Sequence, residues 1–224
     1  GVKIFKVASA DIVDHQMHNF LASTGKKVII STGMSLMKEI EDVIKIYKKF
    51  KNKKYSLLHC VSNYPCTDKS LNLKNILTLK KKFKCEVGFS DHSVGNQASI
   101  VSIGYGATII EKHFTKSKSL DGPDHLASST PKEFQPLVSD LRRTKNMLGS
   151  HYRKIQKEEK IMRKISRKSM MYNQNFDKGH RIQNSDISLI RPGTGLLGDK
   201  INFFLNKRLK RKVKKYQNIT FKDV

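Results

Sequence analysis

Five short apolar segments alternate with amphipathic ones along the first two thirds of the chain, and this alternation leaves few folds open. The strand-like pieces are Ile4 to Ala8, Lys27 to Ser31, Ser56 to Val61, Val87 to Ser90 and Thr108 to His113. Helices are predicted between them over Leu36 to Phe50, Leu71 to Phe83 and Asn96 to Tyr105, with a shorter first crossover over Asp14 to Ala22 and a final helix from Lys132 to Leu148. Apolar residues recur at three- and four-residue intervals in these stretches, as in Ile40, Val43, Ile44 and Tyr47, which is the signature of a helix with one buried face. Strands linked through helical crossovers become neighbours in a parallel sheet.

Past Gly149 the pattern changes. A polar linker, residues 150–165, leads into a small, mainly β domain of residues 166–224, with strand-like pieces at Ser169 to Tyr172, Ile187 to Ile190 and Ile219 to Phe221. The turn signals Asp177-Lys-Gly179 and Arg191-Pro-Gly-Thr-Gly195 separate those pieces.

Two of the predicted strands run into a histidine, His92 in Val87-Gly-Phe-Ser-Asp-His-Ser93 and His113 in Ala107-Thr-Ile-Ile-Glu-Lys-His-Phe-Thr115. The C-terminal ends of adjacent parallel strands converge, so the two imidazoles are candidate metal ligands. A histidine at a strand end can equally be a hydrogen-bonded structural residue. The ligand reading gains from company, because Ser90, Asp91, Glu111, Asp124 and His125 crowd into the same strand ends and the following loop. Glu111 lies two residues before His113 and projects to the same face. It is either a partner that fixes an imidazole tautomer or an ion-pair residue of the sheet interior.

A chain of 224 residues, 38% hydrophobic, can bury one sizeable core and a small second domain. No apolar run reaches the roughly 18 residues of a membrane span, and the chain reads as soluble and cytoplasmic, without a membrane partner. Cys60, Cys66 and Cys85 are odd in number and lack metal-type spacing, so they read as reduced thiols, with Cys60 a small core residue. The net charge of +25 and the run Lys207-Arg-Leu-Lys-Arg-Lys-Val-Lys-Lys215 raise a nucleic-acid hypothesis. Lysines are spread over the whole chain without interleaved aromatic residues, however, and Leu209 and Val213 interrupt the run. Solvated faces explain the charge better than a nucleic-acid partner.

Six motifs in order carry a family resemblance: Phe5-Lys-Val-Ala-Ser-Ala-Asp-Ile12, Ile29-Ile-Ser-Thr-Gly-Met34, Leu57-Leu-His-Cys-Val-Ser-Asn-Tyr-Pro65, Gly88-Phe-Ser-Asp-His92, Glu111-Lys-His-Phe-Thr115 and Gly122-Pro-Asp-His125. Together they resemble the sialic acid synthase family, which includes N-acetylneuraminate, legionaminate and pseudaminate synthases. The stretch from Arg167-Lys-Ser169 through Asp177-Lys-Gly179 to Arg191-Pro-Gly193 is similar to that family's antifreeze-like (SAF) domain. The resemblance implies an α/β fold, a (β/α)8 TIM barrel, with residues 1–149 supplying its fourth to eighth strands. Five units fall short of the eight a closed barrel needs, so three further βα units are expected ahead of Gly1. The 224 residues alone are expected to be inactive.

The family condenses phosphoenolpyruvate with an N-acetylated aldose to a nine-carbon 2-keto acid, releasing phosphate. By resemblance Lys6, Ser9, Ser31 and Ser90 bind phosphoenolpyruvate. Tyr64, with Ser62 or Asn63, and Asp124 face the sugar. His92 and His113 hold a divalent metal, normally Mn2+ with Mg2+ as the alternative. Asp11 stands where the family carries an acidic residue, often Glu, for acid-base or electrostatic work. Arg191 matches an arginine that reaches the partner subunit's site, which implies a domain-swapped homodimer. The alternative reading is a truncated or split, non-catalytic partner of a complete synthase.

Overall fold

The five strands of the first two thirds form one parallel sheet in the order of the chain. In the computed structural model, which describes all residues from Gly1 to Val224, they are β1 (Ile4–Val7), β2 (Lys27–Ser31), β3 (Tyr55–Cys60), β4 (Glu86–Asp91) and β5 (Ile110–Lys112), each paired with the next. The sheet curls as half of a barrel, with β1 and β5 as its edges. Helices α1 (His15–Ser23), α2 (Met37–Lys49), α3 (Asn75–Phe83) and α4 (Gln97–Gly104) make the crossovers, and α5 (Pro131–Leu148) follows the last strand. The fifth strand is shorter than its sequence suggests, and His92 and His113 lie one residue past their strands.

Each helix lies where its apolar stripe dictates. Ile40, Val43, Ile44 and Tyr47 of α2 are all 3% exposed or less and pack with Val28, Ile30, Leu57, Val87 and Phe89 of the sheet's outer face. Fully burying such a side chain stabilises the fold by about 1.5–3 kcal/mol. The helix starts are chemically marked. Asp14 accepts from Met17 N at the head of α1, and Glu133 accepts from Thr130 N at 2.8 Å at the head of α5, where Pro131 also sits at the first helical position.

Chain contacts divide the molecule into Gly1–Gly149 and Ser150–Val224. In the second unit α6 (Lys157–Ser166) occupies most of the stretch read as a linker. Lysine and glutamate favour a helix once its end is capped, and Gln156 N donates to Glu159 Oε2 at 2.8 Å. Strands β6 (Ser169–Tyr172) and β7 (Ile187–Ile190) pair antiparallel, and the short helix α7 (Ile201–Phe204) follows. The third expected strand does not form: Asn218 makes a single bridge to Met171, and Phe221–Asp223 is a helical turn. The domain is therefore less β-rich than its sequence suggests. Met170, Tyr172, Ile182, Phe204, Leu209 and Val213 form its core, so the two apolar residues of the basic run anchor it while its lysines face outward.

His18 and His59 are buried among apolar side chains. His18 Nδ1 lies 3.1 Å from the Tyr47 hydroxyl, and burial, aided by His15, lowers its pKa. Burial likewise lowers that of His59, whose Nε2 bonds the Leu71 carbonyl. Below the ordinary histidine value of ~6.5 the unfolded chain takes up protons that the folded His18 refuses, so its stabilising effect is complete above that pH and declines below it. His18→Gln should cost about 1–3 kcal/mol at pH 8, and the gap in Tm to the native protein should narrow steadily as the pH falls to 5. A gap that stays constant would contradict the assignment of His18 as neutral.

Candidate active site

Period two along each strand sends alternate side chains to the inside of the curl. Cys60 pairs in register with Ser90, and Ser90 with Glu111, so three polar side chains stand in one row near the strand ends. They wall a cavity of about 350 Å³ together with Lys6, Ala8, Ser9, Ala10, Ser31, Met34, Ser62, Tyr64, His92 and His113. A larger hollow of about 730 Å³ opens at the opposite end of the sheet, lined mostly by lysines. Hydroxyls, imidazoles and a thiol gather at the smaller one, and chemistry rather than size singles it out.

The polar groups are wired together. Lys6 Nζ donates to the Val7 carbonyl and to Ser31 Oγ, both at 2.9 Å, and lies 3.5 Å from Glu111 Oε2. Ser90 Oγ donates to Glu111 Oε1 at 2.7 Å. Glu111 is thus an interior ion-pair residue, and the alternative of a partner to an imidazole gives way. Gly33 N donates to Ser9 Oγ at 2.9 Å. A Cβ on Gly33 would collide with Ser62 Oγ and stand 2.9 Å from Ser9 Oγ, so this close approach requires glycine.

His92 Nδ1 lies 2.7 Å from the Val61 carbonyl, which makes Nδ1 the protonated nitrogen and leaves the Nε2 lone pair free. Ser90 Oγ is 3.4 Å from Nε2. The His113 ring stands perpendicular to that of His92 with centroids 5.3 Å apart, a spacing that one shared cation can bridge with metal–nitrogen bonds of about 2.1 Å. The Tyr64 ring lies tilted against His92 at 4.0 Å and edge-on to His113 at 5.1 Å between centroids. Main-chain hydrogen bonds anchor the backbone of both histidines, since the His92 carbonyl accepts from Cys66 N and the His113 carbonyl from Ser129 N, each at 2.8 Å. No set of three His, Cys, Asp or Glu side chains could hold a metal, so two imidazoles are what the chain offers, and they fit a divalent ion with open positions.

Cys60 is not merely a core residue, because its sulfur faces the cavity 3.8 Å from His92 Nδ1. Burial opposes charge on both groups. Contact with His92, Ser9 and Ser62 outweighs it for the thiol and lowers its pKa; Cys60, the Val61 carbonyl and Asp91 outweigh it for the imidazole and raise its pKa. Burial also raises the pKa of the Tyr64 phenol, reinforced by the charges of Cys60, Asp124 and Glu111.

The cavity brings together Lys6, Ser9, Ser31, Ser62, Tyr64, Ser90, His92 and His113. Asp11, Asn63 and Asp124 are exposed and outside its wall, although the charge of Asp124 is felt at Tyr64. Asp11 lies in the helical turn Ser9–Val13, and Asp14, not Asp11, caps α1. Arg191 belongs to the second unit, where it is exposed and its Nε donates to the Ser166 carbonyl at 3.0 Å.

Behind the cavity, Asp91 points outward into a buried pocket of donors. It accepts from Ser93 N and Oγ and from Ser99 Oγ, and it pairs with Lys112 at 3.0 Å, both side chains being 3% exposed or less. A lysine in a strand reads as a surface charge, and only the paired strand reveals that it is buried.

Residues 1–153 match the NeuB family. The chain is 39% identical over 213 residues to the N,N'-diacetyllegionaminic acid synthase of Legionella pneumophila, covering 93% of this chain and 60% of that one. It is 32% identical over 211 residues to the pseudaminic acid synthase of Campylobacter jejuni, covering 94% and 61%. Among solved structures it superposes on the N-acetylneuraminic acid synthetase of Leptospira borgpetersenii with a TM-score of 0.68 at 40% identity, over 72% of this chain and 56% of that one. The chain thus spans about three fifths of the length of the curated relatives it matches.

Removing Lys112 alone strands a buried carboxylate. Lys112→Met should destabilise the protein by about 3 kcal/mol in urea denaturation. Adding Asp91→Asn should then cost less than it does alone, with a coupling of at least ~1 kcal/mol. Strict additivity of the two changes would refute the pair.

Proposed function

The chain belongs to the NeuB family, and we propose that its cavity is the substrate site of a sialic-acid-type synthase, which joins phosphoenolpyruvate to an N-acetylated aldose such as N-acetylmannosamine. The observation that carries the reading is the convergence of one ammonium, four serine hydroxyls, one phenol and two imidazoles on one cavity at the strand ends. The reaction forms a carbon–carbon bond between the phosphoenolpyruvate methylene and the aldehyde carbon, adds water at the former enol carbon and releases phosphate. The product is a nine-carbon 2-keto acid of the kind used in surface polysaccharides. Its relatives' names, legionaminic and pseudaminic acid synthases, support this class of product without choosing the sugar.

Lys6, Ser9, Ser31 and Ser90 suit a substrate that carries both a phosphate and a carboxylate, because charge-assisted hydrogen bonds to anions are the strong ones. His92 and His113 would hold a divalent ion, manganese or magnesium, which supplies Lewis-acid polarisation of the aldehyde oxygen. The Val61 carbonyl keeps the proton of His92 on Nδ1 and so keeps Nε2 available. Tyr64 covers both rings and closes the cavity on the sugar's side, with Ser62 in its wall and Asn63 and Asp124 outside it as hydroxyl partners. Asp11, one carbon shorter than glutamate, is assigned to electrostatic support of the cation that develops at the enol carbon. Arg191 is assigned to the N-acetyl group in the cavity of a partner subunit, where its forked donors would fix the amide's direction. That assignment requires a swapped homodimer, and we identify residues 166–224 with the antifreeze-like domain that makes the exchange.

The test uses the full-length protein stripped with a chelator. Phosphate release from phosphoenolpyruvate should require both an N-acetylated sugar and restored Mn2+ or Mg2+. His92→Ala or His113→Ala should lower kcat about a hundredfold or more, the equivalent of several kcal/mol of transition-state stabilisation. The 224 residues alone should release none. Release that is independent of metal, or absent with a panel of N-acetylated and diacetamido sugars, would overturn the proposal, and in the second case a non-catalytic partner of a complete synthase takes its place.

A further inference from the structure

The donors that face the cavity are already engaged. A lysine ammonium has three N–H donors and a serine hydroxyl one. Those of Lys6 are directed at the Val7 carbonyl, at Ser31 Oγ and toward Glu111 Oε2, and the single donor of Ser90 is given to Glu111 Oε1. An anion that is to be held by Lys6 and Ser90 must therefore displace an acceptor from each, and the acceptor common to both is Glu111.

We infer that Glu111 is a positioning residue that acts as a built-in competitor of the substrate anion: its carboxylate keeps Lys6 and Ser90 aimed at the cavity and hands them over when phosphoenolpyruvate binds. The inference rests on the function proposed above and adds the order of exchange. Of the three contacts of Lys6, the one to Glu111 is the longest, at 3.5 Å against 2.9 Å for the other two, so it is the first to yield. Ser31 keeps its own hydroxyl proton, because in the contact with Lys6 it accepts. Phosphoenolpyruvate therefore gains the donors of Lys6, Ser31 and Ser90 together when a single carboxylate swings away. The side chains of Lys6 and Glu111 are 35% and 37% exposed, which leaves room for that swing and screens the pair. The benefit of the arrangement is order: in water a lysine of this length samples many rotamers, and the carboxylate holds it to one. Its cost is affinity, since the substrate must break a hydrogen bond and pass a like charge.

The experiment compares wild type with Glu111→Gln, which keeps the shape and one acceptor for Ser90 but removes the charge and the acceptor facing Lys6, in the full-length protein. Calorimetric titration with phosphoenolpyruvate, without metal or sugar, should give a Kd about fivefold to tenfold lower for the variant. The KM for phosphoenolpyruvate should fall with it while kcat does not rise, a split that simple loss of structure would not produce. An unchanged or higher Kd in a folded variant overturns the inference. Absence of phosphoenolpyruvate binding to the wild type would instead overturn the function on which it rests. Should Glu111→Gln not fold, a crystal of the wild type soaked with phosphoenolpyruvate decides: the Ser90–Glu111 contact must open beyond hydrogen-bonding distance, and its persistence beside a bound substrate overturns the exchange.

Discussion

The register of the parallel ladder governs everything at the strand ends. Cys60, Ser90 and Glu111 stand side by side because β3 pairs with β4 and β4 with β5 in one specific alignment. Side chains alternate between faces, so a slip of one residue would turn the whole row outward and bring Phe89 and Ile110 into the cavity. Burial on the outer face resists the slip. Val87, Phe89 and Ile110 pack against the helices of the core, and these contacts hold the polar row where it is.

Asp91 adds a polar lock to that apolar one. It lies between the cavity residues Ser90 and His92 in sequence but points the other way, into donors from Ser93, Ser99 and Lys112. A buried carboxylate is costly unless fully satisfied, and four contacts satisfy it, two from Ser93 just beyond its strand and one each from α4 and β5. The chain beyond β4 is thereby tied to α4 and to β5, the strand that delivers His113. Stability and site geometry alternate residue by residue along this segment, and neither can be altered without disturbing the other.

The strands, the helices α2, α3 and α4 between them and α5 after the last could be read from the sequence because hydrophobic period and turn residues agree there, as at Ile40, Val43, Ile44 and Tyr47. Cys60 was harder. In a parallel strand flanked by residues apolar on both faces, Leu57-Leu-His-Cys60 does not declare which face is inside, so a cavity residue reads as a core residue. Lys112 misleads for the complementary reason, since its partner Asp91 lies on another strand. Helix α6 escaped notice because its cap is Gln156 rather than serine, threonine or aspartate, and none of its residues is buried. The expected strand at Ile219 to Phe221 carried the right apolar residues, but Ile219 enters the small core through an irregular segment that makes one bridge. Asp11, Asn63 and Asp124 are picked out by resemblance alone, and their exposed positions outside the cavity wall follow from the irregular segments that carry them, whose course no periodicity encodes.

The charge of the chain and the charge of its cavity act on different steps. With 44 basic residues against 19 acidic ones, the protein carries a positive field that attracts anions of any kind and weakens as salt rises. At the cavity the balance is local: Lys6 and Glu111 face each other 3.5 Å apart. A site built only of cations would gain affinity for any anion from the same field and give each one up slowly. On the exchange inferred for Glu111, a carboxylate placed on the shared donors would offset that retention, because it competes with any anion for them. On that inference, encounter set by the surface charge and release assisted by Glu111 would be separable properties, the first sensitive to ionic strength and the second to substitution of Glu111.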